Sequence, residues 1–178
     1  MLNRIGRIHD SKAAIKAAEM AHYAGFERIN LDLMYGLPGQ DLKLALKDLE
    51  YATSLQPGHI SWYQLTLEPN TAFHARPPVL PGPDRAWKMQ EECAKELSKA
   101  GFDNYEVSAW ALAGSECRHN LNYWAFGDYI GIGAGAHGKV TDSNAVLRYN
   151  KAANPPQYMK MMESGDHGAS AEVPGEAD

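Results

Sequence analysis

Ile29-Asn30-Leu31-Asp32-Leu33-Met34-Tyr35-Gly36-Leu37-Pro38-Gly39 reads as a strand that ends in a tight turn. Ile29, Leu31 and Leu33 share one face, and Asn30, Asp32 and Met34 share the other. Asp41 then caps a helix with apolar residues at Leu42, Ala45, Leu46, Leu49 and Ala52, running to Pro57. A second strand follows, Ile60-Ser61-Trp62-Tyr63-Gln64-Leu65-Thr66-Leu67-Glu68, stopped by Pro69-Asn70. The spacing from strand to strand is about thirty residues, the length of one βαβ unit. This places the chain in the α/β class.

The same reading extends to both sides. Upstream, Asp10 or Ser11 caps a helix through Ala14, Ile15, Ala18 and Ala21 that stops near Gly25. Downstream, Asp84 is the expected cap of a helix that aligns Ala86, Met89, Cys93, Leu97 and Ala100 and ends at Gly101. Asn104 to Trp110 reads as one further strand.

Alternation within the strands says where a site could lie. In the second strand Tyr63, Leu65 and Leu67 oppose Trp62, Gln64, Thr66 and Glu68. If the apolar faces pack on the helices, the polar faces point into a barrel lumen or crevice. Asp32, Thr66 and Glu68 fall toward the C-terminal ends of the strands, where α/β barrels and open sheets place ligands. A carboxylate there holds a ribose hydroxyl or an ammonium group; the plainer alternative is a lumen ion pair or cap. Glu106 and Ser108 share a face, in the same pocket or against solvent.

Further along, Cys117-Arg118-His119-Asn120-Leu121-Asn122-Tyr123-Trp124 is followed by Gly127-Asp128-Tyr129-Ile130-Gly131-Ile132-Gly133-Ala134-Gly135-Ala136-His137-Gly138. Alternate glycines admit a flat ligand or another strand at close range. A histidine and an asparagine beside Tyr-Trp offer a nitrogen ligand, an amide and two stacking faces. The segment suits a planar, apolar, metal-bearing ligand, or equally a packed strand-turn-strand whose polar groups satisfy one another. Gly133 to Gly138 fits G-x-G-x-x-G, but Lys139 to Tyr149 reads as strand, turn, strand, whereas a dinucleotide site needs a helix there. Cys117 and His119 lie two apart with no further ligand nearby, which disfavours a closed zinc site. His9, His22, His59, His74 and His167 are scattered and read as surface or capping residues. Trp62, Trp87 and Trp110 read as core.

At 178 residues the chain can bury a sizeable core, and a formal charge of -5 argues against a general nucleic-acid binder. No apolar run approaches a membrane span, and no secretory leader opens the sequence. With 2 cysteines there is no disulfide scaffold and no set of thiolates for a cluster. A cytoplasmic protein without a transmembrane segment is expected. The start lacks a preceding strand and Ser164 to Asp178 closes no element, as in a piece of a longer protein.

Asp32-Leu33-Met34-Tyr35-Gly36-Leu37-Pro38-Gly39-Gln40, Ser61-Trp62-Tyr63-Gln64-Leu65-Thr66-Leu67-Glu68-Pro69-Asn70-Thr71, Tyr105-Glu106-Val107-Ser108 and His119-Asn120-Leu121-Asn122-Tyr123-Trp124 occur in that order. With the glycine run behind them, they resemble the HemW branch of the radical S-adenosylmethionine proteins, heme chaperones akin to oxygen-independent coproporphyrinogen III oxidase. The resemblance covers about Arg4 to Met162. It implies the C-terminal portion of a partial (β/α)6 barrel followed by an extra β segment. Residues 1-103 would be the last βα units of the barrel, 104-162 a β-rich extension and 163-178 a flexible, truncated tail.

The resemblance also implies ligands: S-adenosylmethionine, a [4Fe-4S] cluster and heme or another tetrapyrrole, with a heme-acceptor protein as partner. By the same likeness Arg7 and Asp32 match S-adenosylmethionine contacts, Arg7 toward its carboxylate and Asp32 toward ribose or amine, and Thr66 matches a position near a second S-adenosylmethionine site of the oxidase branch. His119 matches the heme histidine and would reach the iron, with Tyr123 and Trp124 on the macrocycle and the Cys117 thiolate as a rival axial ligand. The family's CxxxCxxC loop, its GGGTP motif and its Gln-bearing strand are absent from this chain. Cluster chemistry is therefore expected of a longer parent, and the piece alone is expected to be inactive. Oxidation of coproporphyrinogen III is the rival to heme transfer.

Overall fold

A computed structural model describes residue 6 and residues 10–142, 145–165 and 169–172. It contains two compact units, Met1–Cys117 and Arg118–Asp178.

The first unit begins with α1 (Ser11–Tyr23), whose N-cap Asp10 accepts the Ala13 N–H at 2.8 Å. Strand β1 (Asn30–Tyr35), helix α2 (Leu42–Ser54) and strand β2 (His59–Gln64) form the βαβ unit read from the sequence. Asp41 caps α2 as expected, accepting the Leu44 N–H at 2.8 Å. After the one-turn α3 (Ala72–Ala75) comes α4 (Pro83–Lys99), followed by β3 (Asp103–Glu106) and β4 (Ala109–Ala111). The sheet order is β1-β2-β4-β3. β1 and β2 run parallel with Asn30 beside His59 and Asp32 beside Ser61; β4 is antiparallel to β2 and to β3.

The helices cover one face of this sheet. Ala45, Leu49 and Ala52 of α2 and Met89, Cys93 and Leu97 of α4 bury against Ile60, Trp62 and Trp110. Tyr35 stacks on Trp62, centroids 5.0 Å apart and planes 15° from parallel. Leu31 and Leu33 pack against the same cluster as expected, leaving Asn30 and Asp32 on the uncovered side.

Five expectations for this unit are corrected. The helix-facing side of β2 is Ile60 and Trp62, not Tyr63, because the α4 stripe meets that side. β2 ends at Gln64 rather than Glu68: its partner β1 ends at Tyr35, where Gly36 (φ 71°) turns the chain away. Asp84 is not the α4 cap; Gly82 holds that position, with Pro83 opening the helix and Asp84 in its first turn. Asn104 to Trp110 is a hairpin, not one strand. Asn104 Nδ2 donates to the carbonyls of Glu106 and Ala109, and Ser108 donates through N–H and Oγ to Glu106 Oε1, folding the chain at Val107. Trp62 and Trp110 are core, but Trp87 is 65% exposed.

The second unit holds α5 (Arg118–Trp124), β5 (His137–Thr141), β6 (Val146–Asn150), α6 (Pro155–Glu163) and β7 (Ala169–Glu172). Its sheet is antiparallel in the order β5-β6-β7. The His119-to-Trp124 segment is thus helical rather than part of a strand-turn-strand. The glycine run leads into β5 without an intervening helix, so the dinucleotide reading fails as expected. Ala169–Glu172 pairs with β6, which corrects the expectation that nothing after Ser164 closes an element. Among the described residues no helix is long and apolar enough to cross a membrane.

Candidate functional site

The uncovered face of the first sheet carries a continuous polar chain. Asn30 Nδ2 donates to Asp32 Oδ1 at 2.8 Å. Asn30 Oδ1 faces His59 Nδ1 at 2.6 Å and accepts the Ser61 hydroxyl at 3.2 Å. His59 Nε2 meets the Tyr105 hydroxyl at 2.6 Å, and that hydroxyl accepts the Cys117 N–H at 3.2 Å. The parallel register makes this possible, because it puts Asn30 directly beside His59.

His59 is only 7% exposed, whereas Asp32 is open to solvent. Burial lowers the His59 pKa from 6.5, against the opposing charges of Glu106 and Asp32. The imidazole is therefore a neutral, fixed element of the site. A solvent-facing carboxylate backed by such a scaffold can accept hydrogen bonds from a ribose diol or an ammonium group.

The loop after β1 is rigidly built. Gln40 is 4% exposed; its Oε1 accepts the Leu37 N–H at 3.1 Å and its Nε2 donates to Asp48 Oδ2 at 3.2 Å. The Leu65 N–H donates to the Tyr35 carbonyl at 2.9 Å, fixing where the chain leaves β2.

Of the residues expected at a site, Asp32 lies on this face. Thr66 is exposed just beyond the end of β2, and Glu68 is exposed nearby in sequence, its carbonyl accepting the Thr71 hydroxyl at 2.7 Å. Glu106 is engaged by Ser108. Arg7 lies outside the described residues. His59, Tyr105 and Ser61 were not picked out from the sequence, and the reading of His59 as a surface or capping residue is corrected. The available signal was Asn30-x-Asp32 on one strand and His59-x-Ser61 on the next, two polar pairs in strand alternation.

In the second unit α5 presents His119, Tyr123 and Trp124 to solvent, Tyr123 at 48% and Trp124 at 63% exposure. His119 and Tyr123 are four residues apart and share a helix face. Their rings meet edge to face, centroids 4.8 Å apart and planes at 84°. Tyr129 extends the cluster, 4.7 Å from the Tyr123 ring. An exposed imidazole in edge-to-face contact with a tyrosine ring can serve as an axial ligand of a tetrapyrrole iron.

The thiols do not fit an iron–sulfur cluster. Cys93 is fully buried among the helices, and burial, reinforced by Glu96, Asp48 and Glu92, pushes its pKa up to about 12. Cys117 is half-buried in the other position. A cluster takes three or four thiolates from its protein, and no group of three or more metal-binding side chains occurs among the described residues.

Known proteins give a consistent comparison. The chain is 53% identical over 160 residues to the heme chaperone HemW of Escherichia coli (strain K12), covering 89% of this chain and 42% of the relative. It is 51% identical over 160 residues to that of Haemophilus influenzae, with the same coverage. To that of Bacillus subtilis (strain 168) it is 40% identical over 150 residues, 82% of this chain and 40% of the relative. The chain thus spans about two-fifths of the length of the curated relatives it matches. No family model matches. Among solved structures, the coproporphyrinogen III oxidase HemN of Escherichia coli, described as a radical SAM enzyme, superposes with a TM-score of 0.76. That match covers 96% of this chain and 42% of that one at 18% identity, a likeness of fold that agrees with a partial barrel.

Proposed function

We propose, since this chain belongs over 160 matched residues to the HemW family, that it carries heme-binding and S-adenosylmethionine-binding parts of a heme chaperone. The observation that supports heme binding best is α5, where His119 stands exposed against Tyr123 and the same helix carries Trp124, 63% exposed. His119 would ligate the iron through its imidazole, and Tyr123 and Trp124 would cover the macrocycle. Heme supplies an iron centre and a flat apolar face, which a helix with one imidazole and two aromatic rings can hold and release.

On the sheet of the first unit, Asp32 would accept hydrogen bonds from the ribose or amine of S-adenosylmethionine. Arg7 would face the carboxylate of the same cofactor, and Thr66 would lie near a second S-adenosylmethionine site. The 2 cysteines do not fit a [4Fe-4S] cluster, which takes three or four thiolates from its protein. The reading includes a heme-acceptor protein as partner and a cytoplasmic location. Oxidation of coproporphyrinogen III has only the fold likeness behind it.

Titrating hemin into this chain and its His119→Ala variant, with Escherichia coli HemW as reference, tests the heme assignment. The Soret band should shift and sharpen for the unaltered chain and lose most of that change in the variant. An identical spectrum for both would reject His119 as the ligand.

A further inference from the structure

The Asp32 carboxylate fixes the direction of every hydrogen bond in the polar chain behind it. An ionised carboxylate only accepts, so the Asn30 amide must turn its Nδ2 toward Asp32. Asn30 Oδ1 is then left facing Ser61 and His59, and the imidazole must carry its proton on Nδ1. Nε2 is left with a lone pair and accepts the hydrogen bond donated by the Tyr105 hydroxyl. The phenol oxygen in turn accepts the Cys117 N–H. Each group has one arrangement compatible with its neighbours, and all donors point toward Asp32.

A chain of this kind is more than filling. His59 is 7% exposed and both its ring nitrogens are engaged at 2.6 Å, so its ring cannot turn without breaking two short bonds. Asn30 and Ser61 are tied to it on the two parallel strands. Asp32 and Asn30 are both open to solvent, and among the described residues the second Asp32 carboxylate oxygen has no hydrogen-bond partner. The scaffold therefore orients one carboxylate as an acceptor and leaves its outer edge for a ligand that donates.

We propose that His59 is a positioning residue which, with its proton directed to Nδ1 by the Asp32–Asn30 pair and its Nε2 held by Tyr105, fixes Asn30 and through it orients Asp32 toward a ligand that donates hydrogen bonds. This rests on the assignment of Asp32 to S-adenosylmethionine, whose ribose diol and ammonium both donate. His59 and Tyr105 touch no ligand; they act through Asn30.

Two measurements separate this inference from that assignment. In the first, imidazole nitrogen shifts of the 15N-labelled chain are recorded without ligand. His59 should show a single Nδ1–H tautomer, and Asp32→Ala should move it toward a mixture by removing the group that sets the direction. Unchanged His59 signals in Asp32→Ala would overturn the coupling, whatever the ligand. In the second, S-adenosylmethionine is titrated calorimetrically into variants of the chain. Tyr105→Phe and His59→Leu should weaken binding about tenfold, the worth of one buried hydrogen bond. His59→Gln should bind close to the unaltered chain, since its carboxamide can donate to Asn30 and accept from Tyr105. A merely packing role would reverse that order, with leucine the better replacement, and this too would overturn the proposal. Asp32→Ala binding as tightly as the unaltered chain would sink the cofactor assignment, while the tautomer measurement would still decide the coupling.

Discussion

The Lys139 ammonium, in a residue only 2% exposed, lies 2.9 Å from the Asp128 carboxylate. Its other donors go to the Phe126 carbonyl at 2.8 Å and the Thr141 hydroxyl at 2.9 Å, so all three protons are placed. The ammonium also sits 3.9 Å from the centroid of the Phe126 ring. This knot ties the loop after α5 to β5. Lys139→Met should destabilise the chain by about 1–3 kcal/mol, because the Phe126 carbonyl and the Thr141 hydroxyl lose a buried partner. Asp128 retains access to water and adds little to that cost. Urea denaturation of the two chains checks it.

Asp128 makes the same knot sensitive to acid. The Thr141 N–H at 2.8 Å, then Lys139, then the Thr141 hydroxyl hold its pKa down at about 2 against a usual 3.8. A folded-state pKa below the unfolded one means that the contribution is present above pH 3.8 and fades as pH falls toward 2. Hydrogen-exchange protection of the Thr141 amide should therefore exceed that of an Asp128→Asn variant at pH 5 to 6, on the order of the unfolded pKa plus one or two units. The difference should vanish near the folded value. A constant gap across the range would contradict the assignment.

His59 works in the same direction at higher pH. Its pKa is lowered from 6.5 by burial, with Asp32 on β1 and Glu106 on β3 opposing, and Tyr105 of β3 on its Nε2. The neutral ring is native, so the unfolded chain binds more protons and stability falls as pH drops below 6.5. A His59→Gln variant removes that titration. Its urea midpoint should fall less than that of the unaltered chain as pH is lowered from neutral through about one unit below the ordinary histidine value.

Thiol chemistry reports on the core. The Cys93 side chain has no exposed surface and a pKa pushed up to about 12, with burial as the main cause. Thiolate is the reactive form, so Cys93 should resist an aromatic disulfide reagent in the folded chain. Cys117, half-buried, should account for the early reaction. Cys117→Ser should remove that early phase, and denaturant should release Cys93 in both chains. Early labelling of Cys93, read by mass spectrometry, would mean that α4 does not pack as described.

Local chemistry was readable where one residue decides one feature. Asp10 and Asp41 announce their helices because a carboxylate before an apolar stripe has few other uses, and both accept N–H groups at 2.8 Å. The α4 stripe of Ala86, Met89, Cys93 and Leu97 was visible for the same reason, and all four are buried. The exposed face of β2 was misassigned because alternation puts apolar residues on both sides, Ile60 and Trp62 on one and Tyr63, with Leu65 just past the strand, on the other. Only the helix packed against it breaks the tie. His59 escaped notice since its partners, Asn30 and Tyr105, are 29 and 46 residues away and meet it only through strand register. The helix at His119 was hidden by aromatic residues that favour strands, though the four-residue step to Tyr123 was compatible with it.

The glycine run has its own explanation and its own test. A Cβ at Gly138 would fall inside the Tyr149 ring, which lies on β6 directly across from it. The Tyr149 hydroxyl then reaches over to accept the Gly131 N–H at 2.9 Å. A Cβ at Gly131 would likewise collide with the backbone of His137. These two glycines are thus filled against by the chain itself, and close approach of a phosphate is not needed to account for them. Gly138→Ala should push the Tyr149 ring off β5, break its bond to Gly131 and cost about 1–3 kcal/mol or more, in the range of other overpacked sites. Tyr149→Phe keeps the ring and loses only the bond, so it should cost less. Tyr149→Ala in the Gly138→Ala background should recover part of the loss, because it removes the ring that the new methyl strikes. Additive effects of those two substitutions, measured by urea denaturation, would show that ring and glycine are not in contact.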